Sequence, residues 1–220
     1  MRAPPCLSVR VFHAFLSLAV LALAPSWAQN LQPIPLPKPQ TEGGKPLMQV
    51  LMERKSSRQF AGEKLSPQVL SNLLWAAFGV NRRDGKRTAP SAMNRQTIDI
   101  YVILPEGVYR FEAGPHRLSP VVAGDLRAKT GAQGFVADAA VNLIYVADYA
   151  KLAKVKPEDQ AAYASVETGF IGQNVYLFCA SEGLGTVFRA MVDREALAKA
   201  LNLRQDQRIT FAQSVGYLKK

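Results

Sequence analysis

The chain has 220 residues, with 27 Lys and Arg against 17 Asp and Glu, a formal charge of +10, two Cys and two His. This length carries one domain with a full core. So few Cys and His exclude a disulfide framework and disfavour a zinc site or a Ser-His-Asp triad, so the chemistry falls to a cofactor.

Arg2 and Arg10 precede an apolar run from Val11 to Ala24, and Ser26-Trp27-Ala28 follows with small residues two apart. This predicts a signal peptide over 1–28, cleaved after Ala28, and export to the periplasm. The apolar run is shorter than the roughly 20 residues of a membrane-spanning helix. Cleavage removes Cys6 and His13, leaving Cys179 and His116 as the mature chain's Cys and His. Cys179 follows Tyr176-Leu177-Phe178, a setting for a buried, inert thiol. Loss of Arg2 and Arg10 lowers the charge to about +8. The remaining cations are scattered, and an exported protein does not meet nucleic acid, so no nucleic-acid role is expected. An anionic lipid or acidic partner stays open beside an ordinary solvated surface.

Residues 29–45 form a Pro-rich linker that should run extended, as a tether, a strap over a partner subunit or a spacer. The domain then occupies 46–220. Leu47, Val50 and Leu51 follow Pro46 at helical spacing. Ser66 as N-cap and Pro67 at the first position open a helix with an apolar stripe of Val69, Leu70, Leu73, Leu74, Ala77 and Phe78, closed by Gly79. Trp75 on it reads as core or dimer surface. Residues 98–104 and 107–111 read as strands around a Pro105-Glu106-Gly107 turn, and 140–146 as a fully buried strand. A helix over 161–181 ends at Gly183, Asp193 caps another through Leu201, and 208–215 is a final strand. Strands and helices mix without βαβ alternation, which makes the fold class α+β.

Three segments carry candidate chemistry. Arg54-Lys55-Ser56-Ser57-Arg58 sets guanidiniums and hydroxyls close together, enough to hold a phosphate dianion; Arg54 and Arg58 share a face if the segment is helical. A solvated helix end is the plain alternative. Pro90-Ser91-Ala92-Met93-Asn94 is a small-residue turn that can approach a flat ligand, or merely turn. Gly172-Gln173-Asn174 leads to Glu182-Gly183-Leu184-Gly185-Thr186, a helix exit, and then to Val187-Phe188-Arg189-Ala190, which is otherwise an ordinary strand.

In this order, from about Leu47 to Tyr217, the segments resemble the FMN-binding elements of the nitroreductase superfamily, most of all its branch of SagB and thiazoline-oxidase type dehydrogenases. The resemblance implies a nitroreductase-like fold with a central mixed or antiparallel sheet flanked by helices, in an intertwined homodimer with shared FMN sites. It implies that Arg54, Lys55, Ser56 and Arg58 hold the FMN phosphate. Pro90, Ser91, Ala92, Met93 and Asn94 would lie along the flavin of the other subunit. A backbone N–H of Ala190 or its neighbour Arg189 would reach flavin N5 or O4. Gln96 takes the family's usual Gln position, with Thr97 where an aromatic often follows. Relatives place a further basic residue on the phosphate, for which Lys219, Lys220 or Arg87 is the candidate here. The implied function is an exported FMN-dependent oxidoreductase, passing hydride through N5 by ping-pong chemistry with no catalytic side chain and no metal. With no G-x-G-x-x-G segment and little NAD(P)H outside the cytoplasm, its partner would be a small-molecule or peptide substrate oxidised directly, a quinone or a redox protein. The alternatives are an azoline or peptide-type dehydrogenase, a flavin-consuming oxidase, or a non-catalytic module binding FMN or a peptide.

Overall fold

The computed structural model describes Met1 and residues 31–220; apart from Met1, the expected signal peptide and its cleavage site lie outside the described residues. Alternation of apolar residues builds the centre. Strand β2 (Ile98–Leu104) turns at Pro105-Glu106 into β3 (Gly107–Glu112), with Leu104 opposite Gly107. β4 (Arg117–Ala123) continues the meander. β5 (Val141–Asp148) is buried along its whole length between β2 and β7 (Gln207–Gly216), and β6 (Gly185–Arg189) pairs with β7 at one edge. A two-residue β1 (Ile34–Pro35) closes the other edge, giving the order β1-β4-β3-β2-β5-β7-β6 among the described residues. Every pairing is antiparallel.

The pleat of β5 explains the layering. Leu143 and Tyr145 face a core shared with helices α2 (Pro67–Phe78) and α4 (Pro157–Glu182). Ile144 and Val146, one residue out of phase, face a second core closed by Leu197 and Leu201 at α5 (Arg194–Ala200). Two shorter helices, α1 (Leu47–Glu53) and α3 (Phe135–Asp138), complete the set.

The helix signals act as read. The Ser66 side chain accepts from Val69 N, Pro67 occupies the first turn, and Leu73, Leu74, Ala77 and Phe78 are fully buried. α4 starts earlier than expected, at Pro157, with Glu158 and Asp159 stabilising its positive end. It stops at Gly183, whose φ of +71° lets the chain turn while Leu184 N bonds Cys179 O.

Residues 31–40 lie on their own domain. Leu36 N bonds His116 O, the Ser71 hydroxyl donates to Pro37 O at 2.5 Å, and Gln68 Nε2 donates to Lys38 O. Leu31, Ile34 and Leu36 pack against the α2–α4 core. Each such half-buried aliphatic side chain contributes on the order of 1 kcal/mol.

Candidate functional site

The Arg-Ser segment leaves the helix before it begins. Helix α1 ends at Glu53, and Arg54 has φ −59° and ψ 130°, an extended conformation. The expectation of Arg54 and Arg58 on one helical face therefore does not hold. The reason is pairing with distant chain: Ser57 N donates to Thr186 O at 2.8 Å, Ala61 N to Tyr217 O, and Phe60 bridges Leu218. A segment drawn along a sheet edge cannot coil.

Arg54 and Ser56 instead converge on Tyr176 of α4. The Arg54 guanidinium stands 5.4 Å from the ring centre, and Ser56 Oγ lies 2.7 Å from the Tyr176 hydroxyl. Arg54, Lys55, Ser56 and Arg58 are all exposed. Among the described residues, none of these three cations has a carboxylate within ion-pair distance. Arg54 caps the negative end of α1, which favours a cation there, and Lys55 and Arg58 follow in extended chain. The C-terminal segment runs beside them, with Lys219 N bonded to Gln59 O. Arg87 lies elsewhere, over the Phe78 ring at 4.4 Å and bonded to Gln96.

The outer edge of β6 adjoins this cluster. Thr186 O takes the Ser57 N–H, and Phe188 N donates to the Tyr176 hydroxyl at 3.0 Å. Strand parity turns the backbone N–H of Arg189 toward β7, and Ala190, just past the end of β6, is exposed. The Arg189 side chain is buried at 4 % exposure. Its guanidinium donates to Thr130 O, Thr130 Oγ1, Asn142 Oδ1 and Ser214 Oγ, and burial pushes its pKa down to about 10. Arg189 therefore ties β6 to the sheet interior, and the Ala190 backbone is the group left at the edge. A hollow of about 400 Å³ opens there, lined by Ala190, Met191, Lys129 and Gly131 among others.

The Pro-Ser turn is anchored from below. Ser91 Oγ donates to Glu167 Oε2 at 2.7 Å and accepts from Gln96 N at 2.7 Å, while Ile98 N donates to Glu167 Oε1. Glu167 is buried at 3 % exposure, and desolvation raises its pKa against the lowering effect of those hydrogen bonds and of Lys151. Held this way, Met93, Asn94 and Gln96 adopt φ of 53°, 51° and 49°. Three non-glycine residues in the left-handed region within four positions are a strain that clusters at ligand sites. Pro90, Met93 and Asn94 are exposed, and Pro90, Ser91 and Ala92 with Tyr163, Val166 and Phe170 line a 270 Å³ hollow.

Within one chain the structure brings the Arg-Ser segment to the β6 edge but keeps the Pro-Ser turn apart. Their anchors on α4, Tyr176 and Glu167, are nine residues apart, which is about 13 Å along a helix. Neither anchor was singled out from sequence, because each is a polar residue in a helix read only as core. Near the turn, α4 exposes Tyr163, Val166 and Phe170, and α1 exposes Leu47, Met48, Leu51 and Met52.

The family model described as "Nitroreductase family" matches residues 51–217. A Methanocaldococcus jannaschii protein described as a nitroreductase is 34% identical over 151 residues, 64% of this chain and 76% of its own. A crystal structure from Ralstonia eutropha, likewise described as a nitroreductase, superposes with a TM-score of 0.83 at 40% identity, covering 86% of this chain and 91% of that one. The NADPH:FMN oxidoreductase of Vibrio harveyi, complexed with NAD+, shares the fold at a TM-score of 0.59 and 18% identity, over 79% of this chain and 69% of that one.

Proposed function

The chain belongs to the nitroreductase family of oxidoreductases, and on that premise we propose that it binds FMN, with the phosphate held by Arg54, Lys55, Ser56 and Arg58. The observation that carries this reading is an exposed cationic segment with no carboxylate partner among the described residues, joined through Arg54, Ser56 and Tyr176 to the outer edge of β6. The residues present fit a phosphate: the exposed Arg54 guanidinium and Ser56 hydroxyl meet at Tyr176, with Lys55 and Arg58 exposed in the same extended stretch and Ala190 exposed just past the end of β6. Bound FMN supplies the hydride acceptor and donor. The chain's part is to grip the phosphate, offer the Ala190 N–H toward the N5 edge, and exclude water.

We read the site as completed by a second copy of the chain. The turn at Pro90–Asn94 is anchored on α4 nine residues from the anchor of the Arg-Ser segment, and the apolar faces of α4 and α1 beside these segments are open to cover. A homodimer with two shared sites accounts for both observations. Turnover then alternates two half-reactions at one flavin. Following the expected export to the periplasm, the partner is a small molecule or peptide oxidised directly, a quinone or a redox protein. This places the chain nearer the thiazoline-oxidase type dehydrogenases than the NAD(P)H-consuming members.

The visible spectrum of the purified protein after FMN addition and desalting tests the cofactor. The wild type retains a flavin spectrum. An Arg54→Ala, Arg58→Ala double variant removes two charge-assisted contacts and weakens binding about a hundredfold or more. A colourless wild type, or a double variant that keeps its flavin, sinks the reading.

A further inference from the structure

Three polar groups from three parts of the chain stand in line: Phe188 N of β6, the Tyr176 hydroxyl of α4, and the Ser56 hydroxyl. Their protons can be counted. The Phe188 N–H donates to the Tyr176 oxygen at 3.0 Å. Tyr176 has a single proton of its own, and Ser56 Oγ, 2.7 Å away, is within reach to accept it, either hydroxyl of the pair being able to donate. The Arg54 guanidinium over the ring draws electron density from the phenol and favours that direction. With its oxygen already accepting, Ser56 has its own proton to give outward. The opposite polarity would leave the Tyr176 proton with no acceptor in this set. Chains of this kind strengthen each successive donor.

From this geometry we propose that Tyr176 is a positioning residue that aims the Ser56 O–H at a phosphate monoester held between Arg54 and Arg58. The inference rests on the phosphate reading of the previous subsection and deepens it. An exposed serine hydroxyl otherwise samples several rotamers and both hydrogen-bond senses. Tyr176 removes that freedom and converts Ser56 into a committed anion donor. Because the same hydroxyl also holds Phe188 N, the phosphate grip and the β6 edge are set by one atom.

FMN and riboflavin differ only in the phosphate, so their affinities measured side by side isolate this contact. Flavin fluorescence titrations are run on wild type, Tyr176→Phe, Ser56→Ala and the double variant. Phenylalanine keeps the ring beneath Arg54, and thermal melting of each variant confirms that it folds. The preference for FMN over riboflavin is expected to fall about fivefold to tenfold in Tyr176→Phe and similarly in Ser56→Ala. The double variant should fall no further than Ser56→Ala alone, since both changes remove the same donor. Equal weakening of both flavins by Tyr176→Phe, an unchanged preference in it, or losses that multiply in the double variant overturns the proposal. Ser56→Ala lies at an exposed position, so an unchanged preference there overturns it even where Tyr176→Phe fails to fold. A wild type that binds both flavins equally overturns the phosphate reading and this inference together.

Discussion

Gly172 sits where α4 crosses β6, and replacing it with alanine sets two known effects against each other. A Cβ built there meets Phe188 Cε2 at 2.6 Å and Cδ2 at 2.7 Å, well inside ordinary contact. The ring cannot simply swing away, because Tyr145 stacks on it at 5.8 Å between centres and Phe211 flanks it at 4.8 Å. Overpacking of this kind costs about 1–3 kcal/mol. Against it, Gly to Ala inside a helix gains roughly 1 kcal/mol. The net expectation is a loss of up to about 2 kcal/mol. At roughly 2–4 °C per kcal/mol for a chain of this size, Tm falls by up to about 8 °C. Differential scanning calorimetry of Gly172→Ala beside wild type reads this directly. A Phe188→Leu change in the same background should recover part of the loss, because it shortens the side chain that clashes. Displacement of Phe188 also pulls its backbone N from the Tyr176 hydroxyl, so Gly172→Ala should bind FMN more weakly than wild type. A Gly172→Ala protein that melts above the wild-type temperature refutes the reasoning, because the helix gain would then have met no resistance from β6.

Glu167 gives a pH-dependent expectation. Burial raises its carboxyl above the ordinary 4.5, so as pH climbs past that value the unfolded chain sheds its proton before the folded one does. The folded state is favoured fully at low pH and loses that advantage as pH rises through the native value, so wild type should lose stability relative to Glu167→Gln as pH rises above about 4.5. Urea midpoints of the two proteins that keep a constant separation across that rise refute it. Cys179, 1 % exposed and with its thiol pushed far up by burial, should resist iodoacetamide at pH 8 in the native protein and react once unfolded in guanidinium. Labelling of the native protein within minutes contradicts that burial.

What was readable in the sequence was whatever is decided locally. Ser66-Pro67 at one end of α2 and Gly79 at the other are chemical signals that act within one turn, and the Pro105-Glu106-Gly107 turn sets the β2–β3 hairpin by itself. β4 gave no such signal: Ser119 and Pro120 break its alternation, and Pro120 is tolerated because the ladder shifts register there, between Val108 and Tyr109. The Arg-Ser segment, a helical continuation by local pattern, is extended because Thr186 and Leu218, more than a hundred residues away, take its backbone.

The same division runs through the site. Arg189 stands in a stretch whose resemblance to relatives suggested a flavin contact. Nothing local shows that Thr130, Asn142 and Ser214, from three separate stretches, will surround its guanidinium. Glu167 and Tyr176 were invisible for the converse reason, since their partners Ser91 and Ser56 lie 76 and 120 residues away. The residues proposed to face the ligand announce themselves by type, because cations and small residues are what a phosphate and a flat ring require. The residues that aim them belong to α4, whose rigid rise per residue sets how far apart the two halves of the site can stand. That spacing follows from helix geometry once the anchors are known.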